Sequence, residues 1–204
     1  MKPTDWILKM SAWQTPEQMR MLVEDCAQSV GGTSILAKQG YGFWRDSWIA
    51  AEYSRLSKAD QVRLINEDFP DFATSLKGVE TQFEATEVLE HTRRRGDEIK
   101  VGLERAEAGL STAIEDPPER WLTPETANHA LNEASEKKGK KNYPSEIGLV
   151  IYLNWSDYFI PEDRIVSIMS DATKEVRLKF KSIDILWRQT VFHVWKNGRD
   201  ISTT

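Results

Sequence analysis

Asp71 and Glu84 carry the first chemical signal in the chain, because the residues between them read as a strand, a turn and a second strand. The stretch Phe69 to Glu90 is rich in side chains that strands favour: Thr74, Leu76, Val79, Thr81, Phe83 and Val88. Lys77-Gly78 stands where a two-residue turn belongs, and Gly78 is free to take positive φ. With that turn, Leu76 faces Val79, Ser75 faces Glu80, Ala73 faces Gln82 and Asp71 faces Glu84. Two facing carboxylates have Cβ atoms about 5 Å apart and repel unless something positive lies between them. A divalent cation held by oxygen ligands answers that need. A three-residue turn with a bulge would shift the register and weaken the pairing. Side chains alternate with period two, so Thr86 shares the face of Glu84, and Asp71 opposite joins it.

Pro70-Asp71, followed after a short hairpin by Glu84-Ala85-Thr86, resembles the PD-(D/E)xK motif of restriction-endonuclease-like nucleases. The resemblance runs roughly from Arg45 to Trp195. It implies that Asp71 and Glu84 bind Mg²⁺ or Mn²⁺, with the backbone carbonyl of Ala85 as a third ligand. In that superfamily a Lys two residues after the Glu assists the attacking water; Thr86 occupies this catalytic position here and carries no charge. Many of these nucleases also place a Glu on the helix before the hairpin, near the metal. Glu52 matches that place and would bind a second ion or orient a water. The missing cation is expected from Lys137, Lys138 or Lys141, or from Arg93, Arg94 and Arg95, with Lys138 the catalytic candidate. The same lysines and arginines are the expected contacts to nucleic acid, with DNA favoured over RNA.

Three functions follow. The first is a metal-dependent nuclease that hydrolyses phosphodiester bonds. The second is a catalytically degenerate member of the same fold that binds nucleic acid or protein, a reading favoured by Thr86 and by a formal net charge of −5. The third is a small α/β enzyme whose carboxylate hairpin is incidental.

The surrounding elements must position these groups. Thr15-Pro16-Glu17 opens a helix whose apolar stripe is Met19, Leu22, Val23, Cys26 and Val30, ended by Gly31-Gly32. A second helix, about Trp44 to Leu56, carries Trp48, Ile49, Tyr53 and Leu56 on one side. Glu52 lies within that side, as a paired or metal-holding group or as an edge residue whose head reaches water. Ser57 to Asn66 reads as a short helix, although Val62-Arg63-Leu64 could be a first strand. Lys100 to Gly109 suggests a short helix in an otherwise polar stretch. Thr123-Pro124-Glu125 opens a helix to about Lys141 with Ala127, Ala130, Leu131 and Ala134 inward, and the same stripe continues to Lys137, Lys138 and Lys141. Ile147 to Trp155 reads as a buried central strand, which with the preceding strand and helix makes a right-handed βαβ unit. A helix from Pro161 to Phe180 and strands Ile183 to Trp187 and Val191 to Trp195 complete the pattern. The fold class is α/β, a mixed central sheet flanked by helices, restriction-endonuclease-like. Residues 1–42 form an N-terminal helical segment and residues 43–204 the α/β domain, in one compact unit.

At 204 residues with 40% hydrophobic and 29% charged side chains, the chain can bury a sizeable core as a soluble protein. Most of its eight Trp are expected in that core. The acidic balance argues against coating nucleic acid by bulk charge but leaves room for a local basic groove. A single cysteine, Cys26, allows no internal disulfide and fits a reducing cytoplasm. No apolar run is long enough to span a bilayer, so no membrane partner is expected, and oligomeric state, a homodimer among the options, is left open. His91, His129 and His193 show no ligand spacing and read as structural. No Walker loop, GxSxG or GxGxxG occurs, which disfavours nucleotide-driven and serine-hydrolase chemistry.

Overall fold

The computed structural model describes residues 1–32, 35, 38–89, 100, 101, 104, 105, 108, 123–144, 146–155 and 162–201. Among these, seven strands form one sheet in chain order: β1 (Gln61–Leu64), β2 (Phe72–Leu76), β3 (Val79–Leu89), β4 (Gly148–Asn154), β5 (Ser182–Trp187), β6 (Thr190–Lys196) and β7 (Arg199–Asp200). β1, β2 and β3 pair antiparallel, β3, β4 and β5 parallel, and β5, β6 and β7 antiparallel. The helices are α1 (Pro3–Met10), α2 (Pro16–Ser29), α3 (Phe43–Leu56), α4 (Pro124–Gly139) and α5 (Glu162–Thr173), the last continued by a 3₁₀ turn, Lys174–Lys179. The protein is therefore mixed α/β, and no helix among the described residues is long and apolar enough to cross a membrane.

The hairpin forms as its sequence demands. Lys77 and Gly78 have φ of 50° and 78°, the two positive values of a turn whose twist matches the flanking strands. The resulting register pairs Leu76 with Val79, Ser75 with Glu80, Ala73 with Gln82 and Phe72 with Phe83. The short helix expected over Ser57 to Asn66 is instead β1. Its burial alternates, with Val62 and Leu64 inward, and Gln61 to Leu64 pair with Ser75 to Phe72. Local propensity there is overridden by an available strand edge.

Side chains of β4 alternate between two apolar layers. Leu149, Ile151 and Leu153 join Val88, Ile183, Ile185 and Trp187 beneath α4 and α5, alongside Ala127, Leu131, Ile165 and Met169. Val150 lies on the other face with Phe83, Ala85 and Leu186, covered by Trp6, Met10, Met19, Val23, Ile49 and Tyr53 from α1, α2 and α3. Each such fully buried aliphatic side chain contributes roughly 1.5–3 kcal/mol. The N-terminal helices thus share a core with the sheet, and Gln14 adds a β-bridge to Val62. The first helix has no counterpart among the elements expected individually.

α2 starts with a reciprocal capping box: Thr15 accepts from the Gln18 N–H, and the Gln18 side chain accepts from the Thr15 N–H. The helix expected to reach Phe180 gives way after Thr173, whose hydroxyl donates to the Met169 carbonyl at 2.9 Å and so competes with the helical ladder. Lys100, Val101, Glu104 and Arg105 are helical, within the short helix expected there. Of the described tryptophans, Trp6, Trp155 and Trp187 are buried and Trp44, Trp48 and Trp195 pack half-buried against the core, whereas Trp13 is 36% exposed. Cys26 is in the core, where burial pushes its thiol up to about 11 and leaves it unreactive.

Candidate functional site

The site lies where β2 leaves β3. Pairing between them ends at Phe72 and Phe83, but β3 runs on to Leu89 with β4 alone as its named partner. Among the described residues, those past Phe83 therefore present backbone groups along an edge without a second strand. A strand residue turns its N–H and C=O to the same side. Ala85 turns both toward this edge: its N–H donates to Asp71 Oδ2 at 2.7 Å, and its carbonyl accepts from Lys138 Nζ at 2.7 Å. Asp71 sits one residue ahead of β2, after the cis Phe69–Pro70 bond, and its own N–H donates to the Phe83 carbonyl at 2.9 Å. The expected register is thus present up to Phe72, and the Asp71 carboxyl is tied to the residue beyond Glu84.

Glu84 is 2% exposed. Its Oε1 accepts from Lys138 Nζ at 2.6 Å and from the Tyr143 hydroxyl at 3.0 Å, and Lys141 Nζ stands 3.9 Å away. Its Oε2 is buried with no hydrogen-bond partner among the described residues. An unpaired buried carboxylate oxygen is costly and rare in a finished core. Lys138 reaches the strand from α4, whose inner face (Ala127, Ala130, Leu131, Ser135) packs on the sheet and carries the lysine to the edge at its C-terminal end. Burial first, then the negative charges of Asp46 and Glu84, push the Asp71 carboxyl up to about 7, against the Ala85 N–H and Lys138. Burial, followed by Glu84, also raises the Tyr143 phenol well above its ordinary range.

Asp46, like Tyr143, is a residue that sequence reasoning missed. It lies in the first turn of α3, where an acid reads as a partner for the helix dipole. Yet Asp46, Ile49 and Tyr53 recur at helical spacing, and the last two are buried on the sheet side. That spacing was the available signal. Asp46 is largely buried, bonds Arg45 at 3.2 Å, and burial above all raises its carboxyl, Arg45 and Lys138 acting the other way.

Glu52 is corrected. It is on the adjacent flank of α3, about 9 Å along the axis from Asp46 at 1.5 Å per residue, and its carboxylate pairs with Arg55 at 2.8 Å. It lines a cleft with Trp48, Tyr152 and Gln189 at the far ends of β4 and β5. Thr86 follows on the face of Glu84, half-buried and opposite Ile151, with no charge to offer. Lys138 pairs with Glu84 at 2.6 Å, Lys141 stands 3.9 Å from it, and Lys137 is exposed on the outer side of α4. Arg93, Arg94 and Arg95 lie outside the described residues, as does His91.

Among the described residues no three His, Cys, Asp or Glu side chains form a ready-made ion cage. The Lys138 ammonium lies among the oxygen groups, bridging Glu84 Oε1 and the Ala85 carbonyl. The donor set nonetheless fits a hard cation, because Glu84 Oε2 is buried without a partner and Asp71 and the Ala85 carbonyl face the same edge. No family model, curated protein or solved structure matches the chain.

Proposed function

We propose that the protein is a divalent-metal-dependent nuclease-like protein of the restriction-endonuclease-like fold, hydrolysing phosphodiester bonds of nucleic acid, DNA in preference to RNA. The observation that carries this reading is the buried Glu84, one oxygen held by Lys138 and Tyr143 and the other without a partner, beside Asp71 at an open strand edge. An antiparallel β1–β2–β3 meander, a helix and a parallel β4 supply the frame that the PD-(D/E)xK resemblance requires. Glu84 Oε2, Asp71 and the Ala85 carbonyl would hold Mg²⁺ or Mn²⁺, with Asp46 behind Asp71. Such an ion neutralises charge on a scissile phosphate and makes a water more acidic. Lys138 provides the positive charge absent at Thr86, from a helix instead of the strand. Lys141, half-exposed beside it, extends that charge toward a phosphate backbone. Incubation of supercoiled plasmid DNA and of RNA with the protein and Mg²⁺ or Mn²⁺ tests the reading, cleavage abolished by a chelator being the expected result.

One observation favours a second reading, a degenerate fold that binds without cutting. The Lys138 ammonium bonds two of the groups that an ion would need, and so neutralises Glu84 by itself. Retention of nucleic acid without cleavage, unaffected by the ions, separates this reading from the first.

A further inference from the structure

A polar cluster on the opposite face of β3 plays no part in the carboxylate site. Phe83 points to this face because the side chains of Phe83 and Glu84 alternate. Gly148 pairs with Phe83 and Ser182, and a Cβ there would meet Phe83 Cδ1 at 2.5 Å and Ser182 Oγ at 2.7 Å. Only glycine lets the strands and these side chains close up, and they border a cleft of about 290 Å³.

Asp184 is 4% exposed and has both oxygens engaged. Its Oδ2 accepts the Tyr53 hydroxyl at 2.6 Å, and its Oδ1 lies 2.7 Å from His193 Nδ1. The acid thus fixes the imidazole with Nδ1 inward, and Nε2 is the nitrogen left for a ligand. The hydrogen bond that His193 Nδ1 donates to Asp184 raises His193 above the usual histidine value and favours the charged ring, with burial and then Lys196 acting against it. Lys196 lines the same cleft and has no acidic partner among the described residues, while Lys181 pairs with the exposed Glu146 at 3.1 Å. Thr74, Thr81 and Ser182 add hydroxyls. With the Asp184 charge covered by Tyr53 and His193, the polar side chains left to meet a ligand are mainly donors, two of them cationic.

We propose that this cleft binds a phosphate monoester group, gripped by His193 Nε2, Lys196 and the hydroxyls of Ser182 and Thr81. A tetrahedral oxyanion can take donors from several directions at once, which suits an imidazolium, an ammonium and hydroxyls arranged around one cleft. The group could belong to a small nucleotide or to the 5′ end of a nucleic-acid strand. The inference stands apart from the carboxylate site, which faces the other side of the sheet.

The experiment is an NMR titration of the full chain with inorganic phosphate at constant ionic strength, following the His193 ring and the Ser182 and Lys196 amides. Saturable shifts are expected, with the apparent affinity weakened about 10-fold or more in Lys196→Ala and in His193→Gln. Lys196→Ala alters an exposed side chain, so it keeps the test sound if His193→Gln disturbs the Tyr53–Asp184 contact. Adenosine monophosphate and a 5′-phosphorylated oligonucleotide then distinguish the two sources by which binds more tightly than phosphate. Absence of saturable shifts, shifts unchanged in both variants, or equal binding of the unphosphorylated oligonucleotide would overturn the proposal.

Discussion

Asp71 Oδ2 accepts the backbone N–H of Ala85 at 2.7 Å, which fastens a buried carboxyl to the strand just beyond Glu84. The bond favours the charged form, but burial and the neighbouring charges of Asp46 and Glu84 outweigh it and raise the group to about 7.

That balance sets a pH dependence. An Asp titrates near 3.9 when unfolded, so between about 4 and 7 the folded state binds the additional proton. Stability contributed by this group is greatest below the unfolded value and is lost as pH rises through about 7. Asp71→Asn keeps an acceptor for Ala85 without the charge. In chelator-treated buffer at pH 8, thermal unfolding of Asp71→Asn should show a gain on the order of 1–2 kcal/mol over wild type, vanishing near pH 4. A loss of stability at pH 8 would contradict the repulsive arrangement.

Lys138 and Glu84 form a buried pair, 12% and 2% exposed. Removing one member of such a pair strands the other. Lys138→Met should cost roughly 2–4 kcal/mol in ion-free buffer, moderated by Tyr143 and Lys141, and combining it with Glu84→Gln should recover part of the loss. Denaturant unfolding of the two single variants and the double variant measures this directly. Additive losses would mean that the two groups are not coupled.

The two acids of α3 should behave differently. Asp46 influences Asp71 electrostatically, whereas Glu52 is held by Arg55. Asp46→Asn should weaken Mn²⁺ binding by about 10-fold or more, while Glu52→Gln leaves it within about 2-fold. Calorimetric titration of both variants decides between them, and the opposite order would restore Glu52 to the site.

Much of this arrangement was legible because short-range rules governed it. Lys77-Gly78 fixes the hairpin turn, the turn fixes the register, and the register brings Asp71 toward Glu84. Lys137 and Lys138 of α4, with Lys141 just beyond its end, were legible as the continuation of an alanine-rich stripe, though periodicity could not choose among the three. Selection among them depends on where the helix ends against the strand edge. Asp46 and Tyr143 were missed for a similar reason. An acid in a first helical turn and an aromatic in a loop have ordinary local explanations, and only tertiary packing brings Asp46 close to Asp71 and Tyr143 onto Glu84. β1 was ambiguous because Val62, Leu64 and Ile65 suit either period until β2 offers an edge. The His193–Asp184 contact joins β6 to β5 across a register shift, so spacing along the chain could not reveal it.

The central claim is that Glu84 Oε2 and Asp71 make a seat for a hard divalent cation. The most direct measurement is Mn²⁺ titration of wild type, Glu84→Gln and Asp71→Ala at pH 8, read as heat and as a shift in unfolding temperature. Saturable binding that stabilises wild type and weakens by about 100-fold in both variants is the predicted result. Equal stabilisation of all three proteins, or none in wild type, would contradict it.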